Sequence, residues 1–175
     1  VRATFSNPVT EHKETRILGR GTEEMKTNEV TGRFQSGRIG LGCEFGRPGI
    51  GARFRDVDKV ARRLAKCGVL FEKKNPLTLL IVDHSTGKIN EDVLNEKVLS
   101  AILECSFPIE KTAAVLHALR EVSQEVESVF SVDLINRVEP DGSVPAEEVL
   151  QQAGISYSIN GKNNLGLGRP LTEGA

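Results

Sequence analysis

Apolar positions recur with helical spacing from Asp56 onward: Val57, Val60, Ala61 and Leu64 form one stripe, while Lys59, Arg62, Arg63 and Lys66 occupy the other side. Asp56 suits the start of this helix and Gly68 its end. The run "NPLTLLIVDHSTG" then predicts a central strand covered on both faces, with "VLFE" before it as a short strand. Asn90 followed by Glu91 and Asp92 predicts the cap of a second helix, with Leu94, Val98, Ala101, Ile102 and Cys105 as its buried stripe. A third helix is expected from Pro108 to about Glu127, on the apolar line Val115, Leu119, Val122 and Val126. "VFSVDLINRV" alternates as a strand with one wetter face. "EPDGS" reads as a turn, "PAEEVLQQAG" as a short helix closed by Gly154, and "ISYSI" as a last strand.

The first 55 residues differ: they hold many of the glycines and only brief alternations such as "VTGRF" and "GRIGL", which read as short strands and loops. The expectation is one α/β domain over residues 1–175, a mixed-sheet α/β sandwich, with parallel and mixed pairing both open. It divides into a glycine-rich strand/loop region (1–55), a regular helix/strand region (56–159) and a glycine-rich tail (160–175).

Composition narrows the class. With 38% hydrophobic and 27% charged residues in 175, the chain has enough apolar surface for a core without staples. A formal net charge of -1 means that any binding of a polyanion must come from local charge. Three cysteines without metal spacing or a CxxC pair read as free thiols of a reducing compartment. The longest apolar run is too short to span a membrane, and the sequence as given opens without a charged-then-apolar leader, so a cytoplasmic protein is expected.

"GRIGLGCEFGRPGIGARFR" (37–55) concentrates glycine and arginine. Glycine lets backbone N–H groups line a concave nest, and arginine adds a planar fork for phosphate or carboxylate. A ligand-binding set follows: Arg38, Gly40, Gly42, Gly46, Arg47, Gly49 and Arg53, closed over by Lys162, Asn164 and Arg169 of "NGKNNLGLGRP". The spacing fits neither a dinucleotide fingerprint nor a Walker loop. His84 and Asp83 leave the predicted central strand at its carboxyl end and are acid–base candidates, with a plain polar turn as the commoner arrangement. Glu44 is a third acid–base candidate, or the counter-ion of Arg47. Cationic neighbours would activate the Cys43 thiol, although a buried, inert cysteine is the more ordinary outcome.

These residues lead to one expectation: binding of a small phosphorylated or nucleotide metabolite, with transferase or lyase chemistry if the chain is an enzyme. The one cofactor left room for is magnesium accompanying a phosphate. Two alternatives belong to other classes. One is an RNA-binding domain using the cationic 33–66 stretch, with Phe34, Phe45 and Phe54 as stacking rings or, more often, core anchors. The other is a non-enzymatic subunit whose loops build a homo-oligomer.

Overall fold

The computed structural model describes residue 1 and residues 35–46 and 50–158. Its centre is β1 (Arg38–Phe45), which alternates without a break: Ile39, Leu41, Cys43 and Phe45 are fully or almost fully buried on one face. Gly40, Gly42 and Glu44 occupy the other face, so the glycines of "GRIGLGCEF" are off-face positions of a strand, not corners of a loop. β2 (Ala52–Arg53) leads into α1 (Phe54–Lys66), and β3 (Leu70–Phe71) follows. A hairpin of β4 (Ile81–Asp83) and β5 (Lys88–Ile89) comes next, then β6 (Lys97–Val98) and β7 (Ala101–Pro108). α2 (Thr112–Val122), β8 (Phe130–Ile135) and α3 (Pro145–Gln152) complete the described chain.

Four strands form the main sheet in the order β3-β7-β1-β8. β1 is antiparallel to both β7 and β8, and β3 is antiparallel to β7. It follows that β1 and β3 run parallel with β7 between them, and β7 and β8 run parallel with β1 between them. Two β-α-β crossovers therefore interleave, each filling the gap the other leaves, which is the split β-α-β arrangement. Both helices pack against each other on one side of the sheet. There the buried stripes of α1 (Phe54, Val57, Val60, Ala61, Leu64) and α2 (Val115, Leu119, Val122) share a core with Leu41, Leu103, Cys105 and Phe107. Helices and antiparallel strands thus make a mixed α and β domain; where a mixed sheet was expected, every described pairing is antiparallel.

Three expected elements are replaced. The helix expected over Asn90–Cys105 is a single 3-10 turn (Glu91–Val93) followed by β6 and β7. Asn90 does cap, accepting from the Asp92 N–H at 3.0 Å, but only for that turn. Beyond it the period of 2 wins, because Leu103 and Phe107, outside the helical stripe, are fully buried. The expected central strand of "NPLTLLIV" is a 3-10 turn (Thr78–Leu80) and one arm of the hairpin, with Leu79 77% and Val82 61% exposed. Asn75 starts that turn by accepting from the Leu77 N–H at 2.7 Å, a local bond that competes with extension into a strand. Residues 155–158, the described part of "ISYSI", form no strand.

The helices expected from Asp56 and over "PAEEVLQQAG" are present, the one expected from Pro108 to about Glu127 is the shorter Thr112–Val122, and "VTGRF" and the 160–175 tail lie outside the described residues. α1 and α3 end on glycines of positive φ, Gly68 and Gly154, and "EPDGS" closes on Gly142. Among the described residues no helix is long and apolar enough to cross a membrane.

Candidate functional site

The expected arginine clamp does not assemble as a whole. Arg38 opens β1 and donates through Nη2 to Ser106 Oγ at 3.0 Å. Gly46 follows the other end of the same eight-residue strand, so at about 3.4 Å per residue Arg38 lies roughly 27 Å from it. Gly40 and Gly42 lie in a strand paired on both sides, where N–H groups point at neighbouring strands rather than into a nest. Arg47, Gly49, Lys162, Asn164 and Arg169 lie outside the described residues.

What does come together is the corner around Gly46 and Arg53. The Gly51 N–H bonds Gly46 O at 3.1 Å and closes the loop. Both glycines have positive φ. A Cβ on Gly46 would sit 2.6 Å from Leu99 O and one on Gly51 2.9 Å from Val98 O, so the two glycines press backbone to backbone against the end of β6 and the residue after it. That contact sets β2 beside β6, with Ala52 opposite Val98 and Arg53 opposite Lys97. Ala52 and Val98 turn into the core, leaving Arg53 and Lys97 exposed side by side. Arg53 Nη1 donates to Asn95 O at 3.1 Å, and Arg55 Nη2 donates to Asn95 Oδ1. Two arginines therefore hold Asn95 at the point where α1 begins, with Lys97 across the strand pair from Arg53. Arg53 is the N-cap residue of α1 and provides no capping hydrogen bond. The Phe54 and Arg55 N–H groups bond Glu96 O and Leu94 O instead. Asp56, in the first helical turn, is buried and accepts from Ser128 Oγ at 2.6 Å. Lys97 escapes a reading of the sequence because its segment reads as helix; only the pairing with β2 brings it to Arg53.

Three further cations of α1 are tied into the fold. Arg62 Nε meets Asp58 Oδ2 at 2.7 Å, and Arg63 bridges Glu121 and Glu125 at 2.9 and 2.6 Å. Lys59 Nζ donates to Glu125 O at 2.6 Å. Phe45 and Phe54 are core residues with no exposed surface, as expected of anchors, and Phe34 lies outside the described residues. The sheet face opposite the helices carries Arg38, Glu44, Ile102, Glu104, Ser106, Ser131 and Asp133 but no aromatic ring on these three strands. Glu44 and Glu104 are buried on that face, and Asn75 Nδ2 donates to Glu104 Oε2 at 2.6 Å.

Asp83 and His84 sit on the β4–β5 hairpin, not at the end of a central strand. Asp83 accepts from the Ser85 N–H at 2.9 Å, Ser85 Oγ at 2.6 Å and Thr86 Oγ1 at 2.8 Å. Led by the Ser85 side chain, these bonds hold its carboxyl down at about 2. The carboxylate serves the turn. The exposed His84 ring lies 6.5 Å from that of Phe71. Cys43 is turned into the core, away from the arginines, and burial, with lesser contributions from Cys105 and Asp133, raises its thiol pKa well above the ordinary value. Activation by flanking cations is thereby overturned. Burial also raises Cys105 and, more mildly, Cys67. Among the described residues no group of three or more His, Cys, Asp or Glu is arranged to hold a metal ion.

No protein-family model, curated protein or solved structure matches this chain.

Proposed function

We propose that the chain binds a small phosphorylated anion, with nucleotides in the class, at the corner formed by Arg53, Arg55, Lys97 and the glycines Gly46 and Gly51. One observation carries the reading: Arg53 and Lys97 are direct partners across β2 and β6. Like charges directly opposite in a strand pair repel, and an anion seated between them converts that repulsion into attraction on both sides. Arg53 brings a planar fork and Lys97 a compact point charge, the pair of donors suited to a phosphate. The N-terminal end of α1 adds the positive end of its dipole, opposed in part by Asp56. Arg47 belongs to the loop by sequence and is a natural further ligand.

The test is a thermal-shift and calorimetric titration with pyrophosphate and ATP at low salt, against sodium chloride of equal ionic strength. Binding raises the melting temperature with ligand concentration, by mass action. Arg53→Gln and Lys97→Gln each abolish the shift, whereas Lys73→Gln, on another surface loop, retains it. Added salt weakens the effect. Identical curves for pyrophosphate and chloride in the wild-type chain refute the reading. The chain has no tryptophan and one tyrosine, so the ultraviolet spectrum of freshly purified protein also reveals a retained nucleotide base directly.

A further inference from the structure

β8 is an outer strand: the main sheet runs β3-β7-β1-β8, and among the described residues no strand lies beyond it. Its register fixes which backbone groups face outward. The Gly46 N–H bonds Val129 O at 3.2 Å, continuing the β1–β8 ladder by one pair. Hydrogen-bonded pairs alternate in an antiparallel ladder. Ser131, Asp133 and Ile135 therefore turn their N–H and C=O toward β1, and Phe130, Val132 and Leu134 turn theirs away from the sheet. Exposed edges are commonly guarded by lysine, proline, a bulge or very short length. "FSVDLI" is six residues long with one charge, Asp133, and has neither lysine nor proline. Ser131 and Val132 at its middle are exposed.

We propose that β8 pairs antiparallel with β8 of a second copy of this chain, about a two-fold axis through Val132. The register argues for this occupant. With the axis there, Val132 meets Val132, and Phe130 meets Leu134 of the other copy, so every outward N–H and C=O of the three residues has a partner. The same register sets Ser131 opposite Asp133 of the second copy, a hydroxyl donor beside a carboxylate. Further out it brings Glu127 and Arg137 of opposite copies to matching positions. Sliding the axis one residue to Asp133 also pairs the backbone, but it sets the two Asp133 carboxylates directly opposite each other and turns Glu127 toward Glu139. Like charges so placed oppose that register. Phe130, Val132 and Leu134 share the face of Phe45, Cys43 and Leu41. The pairing thus carries the apolar face from one copy into the next and joins two four-stranded sheets into one.

Sedimentation equilibrium of the full chain over a wide dilution series tests this directly. The expected result is a mass moving from one chain to two as concentration rises. Val132→Lys, which puts two ammonium groups face to face, holds the mass at one chain while the circular dichroism is unchanged. In a Cys67→Ser background, V132C gives a disulfide-linked dimer on mild oxidation, because directly paired residues fall within disulfide reach. D133C links slowly. Three outcomes overturn the proposal: a single-chain mass at every concentration, a dimer that persists in the Val132→Lys protein, or faster linkage through D133C than V132C. The first includes the case in which the edge instead accepts an extended peptide of another protein.

Discussion

At the scale of single residues, the hairpin acid illustrates how three short bonds decide a role. Asp83 has its carboxyl held at about 2 by Ser85 and Thr86. Its folded pKa lies below the unfolded value of about 3.9, so the stabilisation it gives the turn is complete above that value. This contribution is lost as the pH falls from about 3.9 toward about 2. Carbon-detected NMR titration of the side chain should show a midpoint near the lower value in the wild-type protein. In Ser85→Ala the midpoint moves up toward that of an unperturbed carboxyl. An unchanged midpoint would mean that Ser85 is not what holds the charge.

At the scale of elements, the hairpin is fastened to α1 at two points. Asp58 Oδ1 accepts from the Ile89 N–H at 2.8 Å while Oδ2 holds Arg62. Gly87, at φ +73, lies so close to the helix that a Cβ would fall 2.4 Å from Ala61 O. Gly87→Ala is expected to lower stability by about 1–3 kcal/mol, from the strained backbone and the forced separation together. Hydrogen exchange should quicken at Ile89 and through residues 81–89, with the α2 amides near wild type. Uniform loss of protection would assign the hairpin to the global unfolding unit instead. The same elements mark how far the sequence was legible. Helices α1, α2 and α3 could be read because each carries an apolar stripe of helical period; α1 and α3 add a terminal glycine, Gly68 and Gly154, and α3 a proline at its start. Residues 90–105 could not, since Ala101 and Cys105, four apart, fit a helical stripe and a strand alternation equally well, and only packing against β1 separates the two. "LTLLIV" misled for a different reason: its hydrophobicity is real, but Asn75 and Pro76 commit it to a turn and leave Leu79 and Val82 in water. At the candidate site Gly46 and Arg53 were legible as a glycine–arginine loop, whereas Lys97 depends on a two-residue strand pairing that no local pattern announces.

At the scale of the whole molecule, one core joins β1, β7 and β8 to both long helices. Leu103, opposite Cys43 and fully buried, lies at its middle. Leu103→Ala should cost about 2–5 kcal/mol in a urea denaturation, with a single transition shifted to lower denaturant. A loss under 1 kcal/mol would mean the core collapses around the gap. The central position of β1 also has a consequence in time. Both of its partners lie far downstream, at Ala101–Pro108 and Phe130–Ile135. During synthesis the apolar row Ile39, Leu41, Cys43 and Phe45 leaves the ribosome first and waits unpaired until most of the described chain has followed. Contacts this distant in sequence close slowly, and an unpaired strand of this kind is where aggregation begins. The strand that gives the finished protein its centre is thus the one most in need of protection while the protein is being made.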